Sequence, residues 1–300
     1  ASLNAGKTLG IGNYDSANII HSNGKFYLLV GTSTSNRDHF YIVDAKTLYY
    51  ENSAVVGANL SGLTILNEQY GLVTGDGIRR IDLKSLNNVR IKNERLLCFY
   101  NSIIYNGKVL SNDTYKDESK VKYYDVNELI AAKEGEAPAV TELDIIQKQK
   151  INFVLAKDGN VYTLESADNG CNIVKIKNDF TLEKVFANFQ PAKGPYHSSP
   201  TIGMVASETE NIIYLVSTDG AIYKYILGDS DSLKAPFIAA ESGVSITAPL
   251  QLNQQSGELY VTYTEELKDE SKIVVYSKDG KVLHTVDCGE SVPSQILFNN

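Results

Sequence analysis

Apolar and polar positions alternate along this chain in short runs, and the runs come in pairs joined by polar loops. The first pair reads KFYLLV and HFYIVD, separated by a stretch rich in Ser, Thr and Asn. Alternation with period two predicts strands with one face in a core, and the residues between them favour turns. Residues 25–30 and 39–44 are therefore expected to be antiparallel partners. Residues 17–22 supply an inner strand and residues 49–56 an outer one. Branched and aromatic side chains at Tyr27, Leu29, Tyr41 and Val43 suit a pleated, packed surface.

The same phrase returns until it has appeared six times, starting at Gly24, Gln69, Gly107, Gly159, Asn211 and Gly257. Each copy is a turn, an apolar run, a polar loop, a second alternating run and a stop like Asp-x-Lys-x-Leu; most of the apolar runs carry a tyrosine. One thin sheet cannot bury both of its faces, whereas a stack of such sheets can. Repeats of ~40–50 residues made of short strands predict an all-β β-propeller of four-stranded antiparallel blades. The copies run without a break from about residue 19 to 286, so one domain over residues 1–300 is expected. The closing GESVPSQILFNN and the opening ASLNAGKTLGIG read as the inner and outer strands of one more sheet. Seven blades are expected, the seventh incomplete and closed by both termini, with six as the alternative. Helix is confined to DVNELIAAKEG, residues 125–135, where an aspartate precedes good helix formers.

Two pentapeptides match: residues 116–120 and 268–272 both read KDESK, each between the second and third strands of its copy. A solvated hairpin end explains them; a shared cation or ligand contact is the functional alternative.

Composition narrows the partners. The net charge is −8 and the pI near 5.1, with no basic cluster carrying interleaved aromatics. Such a surface repels phosphate backbones, which argues against a nucleic-acid partner. No apolar run is long enough to span a bilayer as a helix. No basic leader opens the chain at Ala1, so either the protein is not exported or a leader has been removed. Cys98, Cys171 and Cys288 are odd in number and far apart, which suits free structural thiols.

Catalytic signatures are missing from the sequence. There is no G-x-S-x-G nucleophile turn and no phosphate loop. His21, His39, His197 and His284 lack metal-ligand spacing. The carboxylate neighbours Glu265 with Glu266, and Asp229 with Asp231, are of a kind common on surfaces. No enzyme activity, metal or cofactor is expected.

Binding fits the geometry of a propeller better. Its inner strands converge on a funnel, and loops entering the inner strand gather at one end with the hairpins between second and third strands. Ligand sites favour such concave places. In this sequence those loops hold Tyr14 and Asp15, then Arg37 and Asp38, then Asp76 and Arg79. Phe99, Tyr100, Tyr115 and Lys148 follow. The segment KGPYHSSPT, residues 193–201, braces Tyr196 and His197 between two prolines, which lowers the ordering cost of binding. Tyr196 offers a stacking face and His197 a hydrogen bond. The 19 tyrosines mostly occupy the repeated strand slot (Tyr27, Tyr70, Tyr162, Tyr214, Tyr260), and there is no tryptophan for a sugar platform.

Two stretches carry a family resemblance: GKTLGIGNYDSANIIHSNGKFYLLV, and SGELYVTYTEELKDESKIVVYSKDGKVLHTVDCGESVPSQILF. They resemble the YncE-like, YVTN-type propellers, and within them the surface or periplasmic propeller lipoproteins of Bacteroidetes, many of which carry a domain of unknown function. The resemblance implies an exported protein at the outer membrane surface or in the periplasm, with a lipid anchor outside the given chain. It implies a role accessory to nutrient uptake, since some relatives bind cobalamin beside an outer-membrane transporter. The expectation is thus a monomeric, non-catalytic propeller that takes a small ligand or an envelope protein at its loop-rich funnel. A protein–protein scaffold with an empty funnel, and a hydrolase or lyase using funnel carboxylates, are the alternatives.

Overall fold

The computed structural model describes residues 16–31, 37–57, 60, 62–75, 77–92, 102–112, 119–136, 138–148, 152–192, 203–265, 270–290, 293, 296 and 298. The chain divides into two compact units, residues 1–144 and 145–298. Antiparallel sheets, each laid down in sequence order, make up both.

The first unit begins with blade 1: β1 (Ser16–Ser22), β2 (Lys25–Gly31), β3 (Asp38–Asp44) and β4 (Tyr50–Gly57). Blade 2 is β5 (Gly62–Ile65), β6 (Tyr70–Gly75), β7 (Gly77–Asp82) and β8 (Asn88–Lys92). Blade 3 is β9 (Ile103–Tyr105), β10 (Lys108–Asn112), β11 (Ser119–Asp125) and β12 (Val140–Gln147), whose last three residues, from Ile145, are counted with the second unit. A short helix, α1 (Val126–Ala131), sits between β11 and β12.

The second unit holds blade 4: β13 (Val154–Leu155), β14 (Val161–Ala167), β15 (Gly170–Ile176) and β16 (Leu182–Phe189). Blade 5 is β17 (Met204–Ala206), β18 (Ile212–Val216) and β19 (Ile222–Ile226). Blade 6 is β20 (Val244–Ile246), β21 (Gln251–Leu252), β22 (Leu259–Glu265), β23 (Ser271–Tyr276) and β24 (Val282–Gly289). Both β20 and β21 pair with β22. Pro249 lies between them and has no amide to offer a ladder.

This is an all-β propeller architecture with almost no helix. Two expectations need correction. The described residues form six blades, the alternative count, and no seventh sheet. The tail is used on blade 6 instead. The Phe298 ring lies edge-on to Tyr260 at 5.0 Å, and the Pro293 carbonyl accepts from Thr262 Oγ1 at 3.4 Å. Blade 5 has three strands rather than four. After β19 the chain turns at Gly228 (φ 88°) and enters a 3-10 turn at Ser230–Leu233 capped by Asp229. It returns only as far as an isolated bridge from Ile238 to Ile222. Pro236, just before the bridge, cannot extend a ladder.

Alternation sends successive side chains toward opposite neighbours. Tyr27, Leu29, Phe40 and Ile42 of blade 1 pack with Leu63, Val73 and Ile81 of blade 2. The intervening Leu72 and Ile78, joined by Ile91, pack with Val109 and Tyr124 of blade 3. In the second unit Leu164 and Ile173 meet Ile213, Leu215 and Tyr225 of blade 5. Tyr214, Val216 and Ile222 of that blade face Ile246, Val261 and Val274 of blade 6. Burying both faces of a sheet this way removes apolar area that a lone blade would leave wet, at about 25 cal/mol per Å². The tyrosine slot behaves as expected for Tyr27, Tyr162 and Tyr214, all nearly inaccessible. Burial pushes the Tyr214 hydroxyl up to about 12.

The Asp-x-Lys-x-Leu stop is a turn with a definite mechanism. Asp44 Oδ1 accepts from the amides of Lys46 (3.1 Å) and Thr47 (2.6 Å) and from the Thr47 hydroxyl (2.7 Å). Asp82 does the same with Lys84 N (3.0 Å), Ser85 N (2.7 Å) and Ser85 Oγ (3.0 Å). The Thr47 hydroxyl at Asp44, and the Ser85 amide at Asp82, are the main reasons both carboxyls sit below the usual carboxylate range. The turns end at Leu48 and Leu86 with φ of 59° and 58°, a conformation side-chain-bearing residues seldom adopt. Each leucine amide closes the turn on the carbonyl of its aspartate.

Candidate functional site

Of the ten residues placed at the funnel by sequence, Tyr14, Asp15, Asp76, Tyr100, Tyr115, Tyr196 and His197 lie outside the described residues, as does Phe99. Arg37, Arg79 and Lys148 are described. Arg37 and Arg79 belong to the first unit and Lys148 to the second.

Arg37 and Arg79 meet a common corner of blades 1 and 2. Arg37 is exposed and leads directly into β3. Its neighbour Asp38 is only 2% exposed and pairs across the ladder with Gly57. The Asp38 carboxylate accepts from the Leu60 amide at 2.5 Å, tying the start of β3 to the chain that leaves β4. Arg79, third in β7, lies against Gly57, where a Cβ would stand 3.0 Å from Nε. A side chain at residue 57 would press on the guanidinium and would sit at a strained φ of 153°. Arg79 Nη1 donates to Asn88 Oδ1 at 3.2 Å.

Sequence reasoning missed Arg90. In the ladder it stands directly opposite Arg79. A bulge at Ile91 sends that side chain toward blade 3. Arg79, Arg90 and Asn88 are left on the face toward blade 1. Nothing in the local pattern announces this, because the bulge shifts the register by one residue.

Lys148 is exposed, and its amide donates to Ser166 Oγ at 2.8 Å. The residues that organise this part of the second unit are instead side-chain amides. Gln147 Nε2 donates to Thr163 Oγ1 (2.9 Å) and to the Leu164 carbonyl (3.0 Å). Asn152 grips Met204 at both backbone groups, donating to its carbonyl at 2.6 Å and accepting from its amide at 3.1 Å. Gln254 donates to the Ala206 carbonyl at 3.0 Å and accepts from the Glu208 amide at 2.8 Å. The free edge of the short inner strand β17 is thus paired at both ends by amides from flanking blades.

The remaining chemical candidates have structural occupations. His21 packs on Phe26 and His39 stacks on Tyr41. Asp229 caps the 3-10 turn, and Asp231 pairs with Lys234 at 2.8 Å. Cys171 is buried, and burial raises its thiol to about 11, which keeps it protonated and unreactive at neutral pH. Among the described residues no group of His, Cys, Asp and Glu is arranged to hold a metal ion. An open basin of about 420 Å³ lies by the turns of blade 4, lined by Asn160, Lys175, Lys177, Asn178 and Asp179. Its lysines are committed to ion pairs, Lys175 with Asp158 and Lys177 with Glu183, each at 2.9 Å.

The sequence matches a family model over residues 1–299, and the chain belongs to that family, the Domain of unknown function (DUF5074). No curated protein sequence matches it. Solved propellers are similar in fold. A functionally unknown protein from Desulfotomaculum acetoxidans aligns with a TM-score of 0.57 at 12% identity, covering 94% of this chain and 89% of that one. The Cps50 (Swd1) β-propeller domain of Myceliophteria thermophila gives 0.54 at 12% identity, covering 93% and 91%. A streptogramin B lyase gives 0.50 at 14% identity, covering 89% and 81%. At such identities the likeness speaks for the fold alone.

Proposed function

We propose that this chain is a non-catalytic binding protein, taking a ligand at the end of the blades where Arg37, Asp38 and Arg79 lie. The observation that carries the reading is the Asp38 corner. A nearly inaccessible carboxylate is fixed by the Leu60 amide, and an exposed guanidinium is presented one residue away. A charged group held by a rigid anchor loses little freedom on binding. The resemblance to exported propellers supports a place at the cell envelope, beside uptake machinery.

A thermal-shift screen of cobamides, glycans, small anions and metal ions tests the reading. A ligand at 100 times its Kd stabilises by about 2.7 kcal/mol. Arg37→Ala is expected to reduce the shift without altering the unliganded melting temperature. An unchanged melting temperature across every ligand class overturns the proposal. Fractionation of the native host checks the location: recovery with envelope membranes or periplasm is expected, and recovery in the cytosol counts against it.

A scaffold is the second reading, favoured by the exposed large apolar side chains on outer strands. Tyr49, Tyr50 and Val55 lie on or beside β4, and Val282, Leu283 and Val286 lie on β24. It predicts no ligand-induced shift, and partner cross-links that form from photoreactive groups at Tyr49 and Val286.

A further inference from the structure

Resting on the binding reading above, we infer that the ligand presents an oxyanionic group, a carboxylate or a phosphoryl, to the paired guanidiniums of Arg79 and Arg90. The two arginines stand directly opposite each other on β7 and β8. Like charges at directly opposed positions of a ladder repel, and sheets ordinarily avoid them. Here both are half-buried, in an acidic chain with only five arginines. Arg79 Nη1 also holds Asn88 Oδ1. Neither guanidinium is without partners, and what matters is that two rigid forks share one face at adjacent positions. Across from them blade 1 offers small residues, Ala54 packed on the shared core and Gly57 beneath Arg79. Planar forks match the oxygens of carboxylate and phosphate two at a time, which a lysine pair does not.

Calorimetric titration of the intact chain at low ionic strength, with inorganic phosphate and separately with malonate, tests this. Saturable binding of at least one probe is expected, weakened tenfold or more by Arg79→Met and by Arg90→Met. Arg90→Lys keeps the charge and loses the fork, so a loss of about three- to tenfold is expected from the bidentate preference. Lys234→Met, in an exposed pair of the other unit, is the charge-loss control and should leave affinity within about twofold, as an exposed, already paired surface charge is screened by salt. Stronger binding of phosphate points to a phosphoryl ligand and of malonate to a carboxylate; both support the inference. If neither probe binds, or if binding survives both methionine variants and Arg90→Lys unchanged, the inference is overturned. Should a neutral glycan then still shift the melting temperature, the binding reading stands and only the oxyanion fails. If no ligand class shifts it, the binding reading fails too.

Discussion

The two units are built from the same repeat and are stitched by different chemistry. All five arginines, Arg37, Arg79, Arg80, Arg90 and Arg95, fall in the first. There a cation crosses from blade to blade: Arg80 on β7 reaches the end of α1 in blade 3, donating to the carbonyls of Leu129 (3.3 Å), Ile130 and Ala132 (2.9 Å). The second unit has no arginine and uses Asn152 and Gln254, each donating to one backbone group and accepting from another. An exposed ion pair, Lys278 with Glu210 at 2.7 Å, joins blades 6 and 5 beside them. The difference follows from what must be satisfied. Helix ends leave carbonyls, which call for a pure donor. A strand edge leaves amides and carbonyls alternately, which calls for a group that is both.

The largest effect should come from the second unit. Asn152→Leu leaves the amide and carbonyl of Met204 unsatisfied, and a cost of about 3 kcal/mol is expected at ~1–3 per buried group. Urea denaturation checks it: a midpoint unchanged from wild type shows that water replaces the amide and that the stitch matters little. Arg80→Met removes one donor from the carbonyls at the end of α1 and leaves no amide unsatisfied, so about 2 kcal/mol is expected. A larger loss than for Asn152→Leu would invert the comparison.

Acid separates charge from amide. Asp82 is held below the usual carboxylate range by the Ser85 amide first, despite opposing partial burial, and then by Gln69, the Ser85 hydroxyl and Lys84. Its contribution is present while the carboxylate is ionised, above the ordinary value near 3.9, and is lost as pH falls through the lower folded value. Asp82→Ala should therefore destabilise modestly at pH 7, and the gap to wild type should close below about pH 4. Over the same range the cost of Asn152→Leu should stay constant, since an amide does not titrate. The smallest effect is expected for Lys120→Ala, whose partner Asp144 is 3.6 Å away and 88% exposed. A change under about 0.5 kcal/mol is expected, and a larger one would mean the KDESK ends are more than solvated charge.

How much of this could be read from sequence depended on whether the determining contacts are local. The second and third strands of the copies stand out because their side chains alternate between two cores, as Ile213 and Tyr214 do. The turn at Asp44 is legible because donor and acceptor are two or three residues apart. The helix after Asp125 appeared where the capping pattern put it. The missing fourth strand of blade 5 was not legible, since LGDSDSLKAPFI has strand-like ends around its breakers. Nor was the blade count, because the ILF run of the tail reads as a strand until Phe298 is seen against Tyr260. At the candidate site, Arg37 came from loop placement, whereas Arg79, read as a loop residue, lies within β7 because the strand begins at Gly77. Arg90 was hidden by a bulge, and Asn152 and Gln254 by separations of 52 and 48 residues from the groups they hold.

The six-residue helix α1 has a consequence for how the chain assembles. A segment so short does not persist in water by itself. Its start is fixed by Asp125 of its own blade, whereas its end is fixed by Arg80, 49 to 52 residues earlier. Full order in this turn of helix thus marks the moment when blades 2 and 3 dock. The Ala132 amide, bonded to Glu128, becomes a natural clock for that event, readable by pulsed hydrogen exchange during refolding.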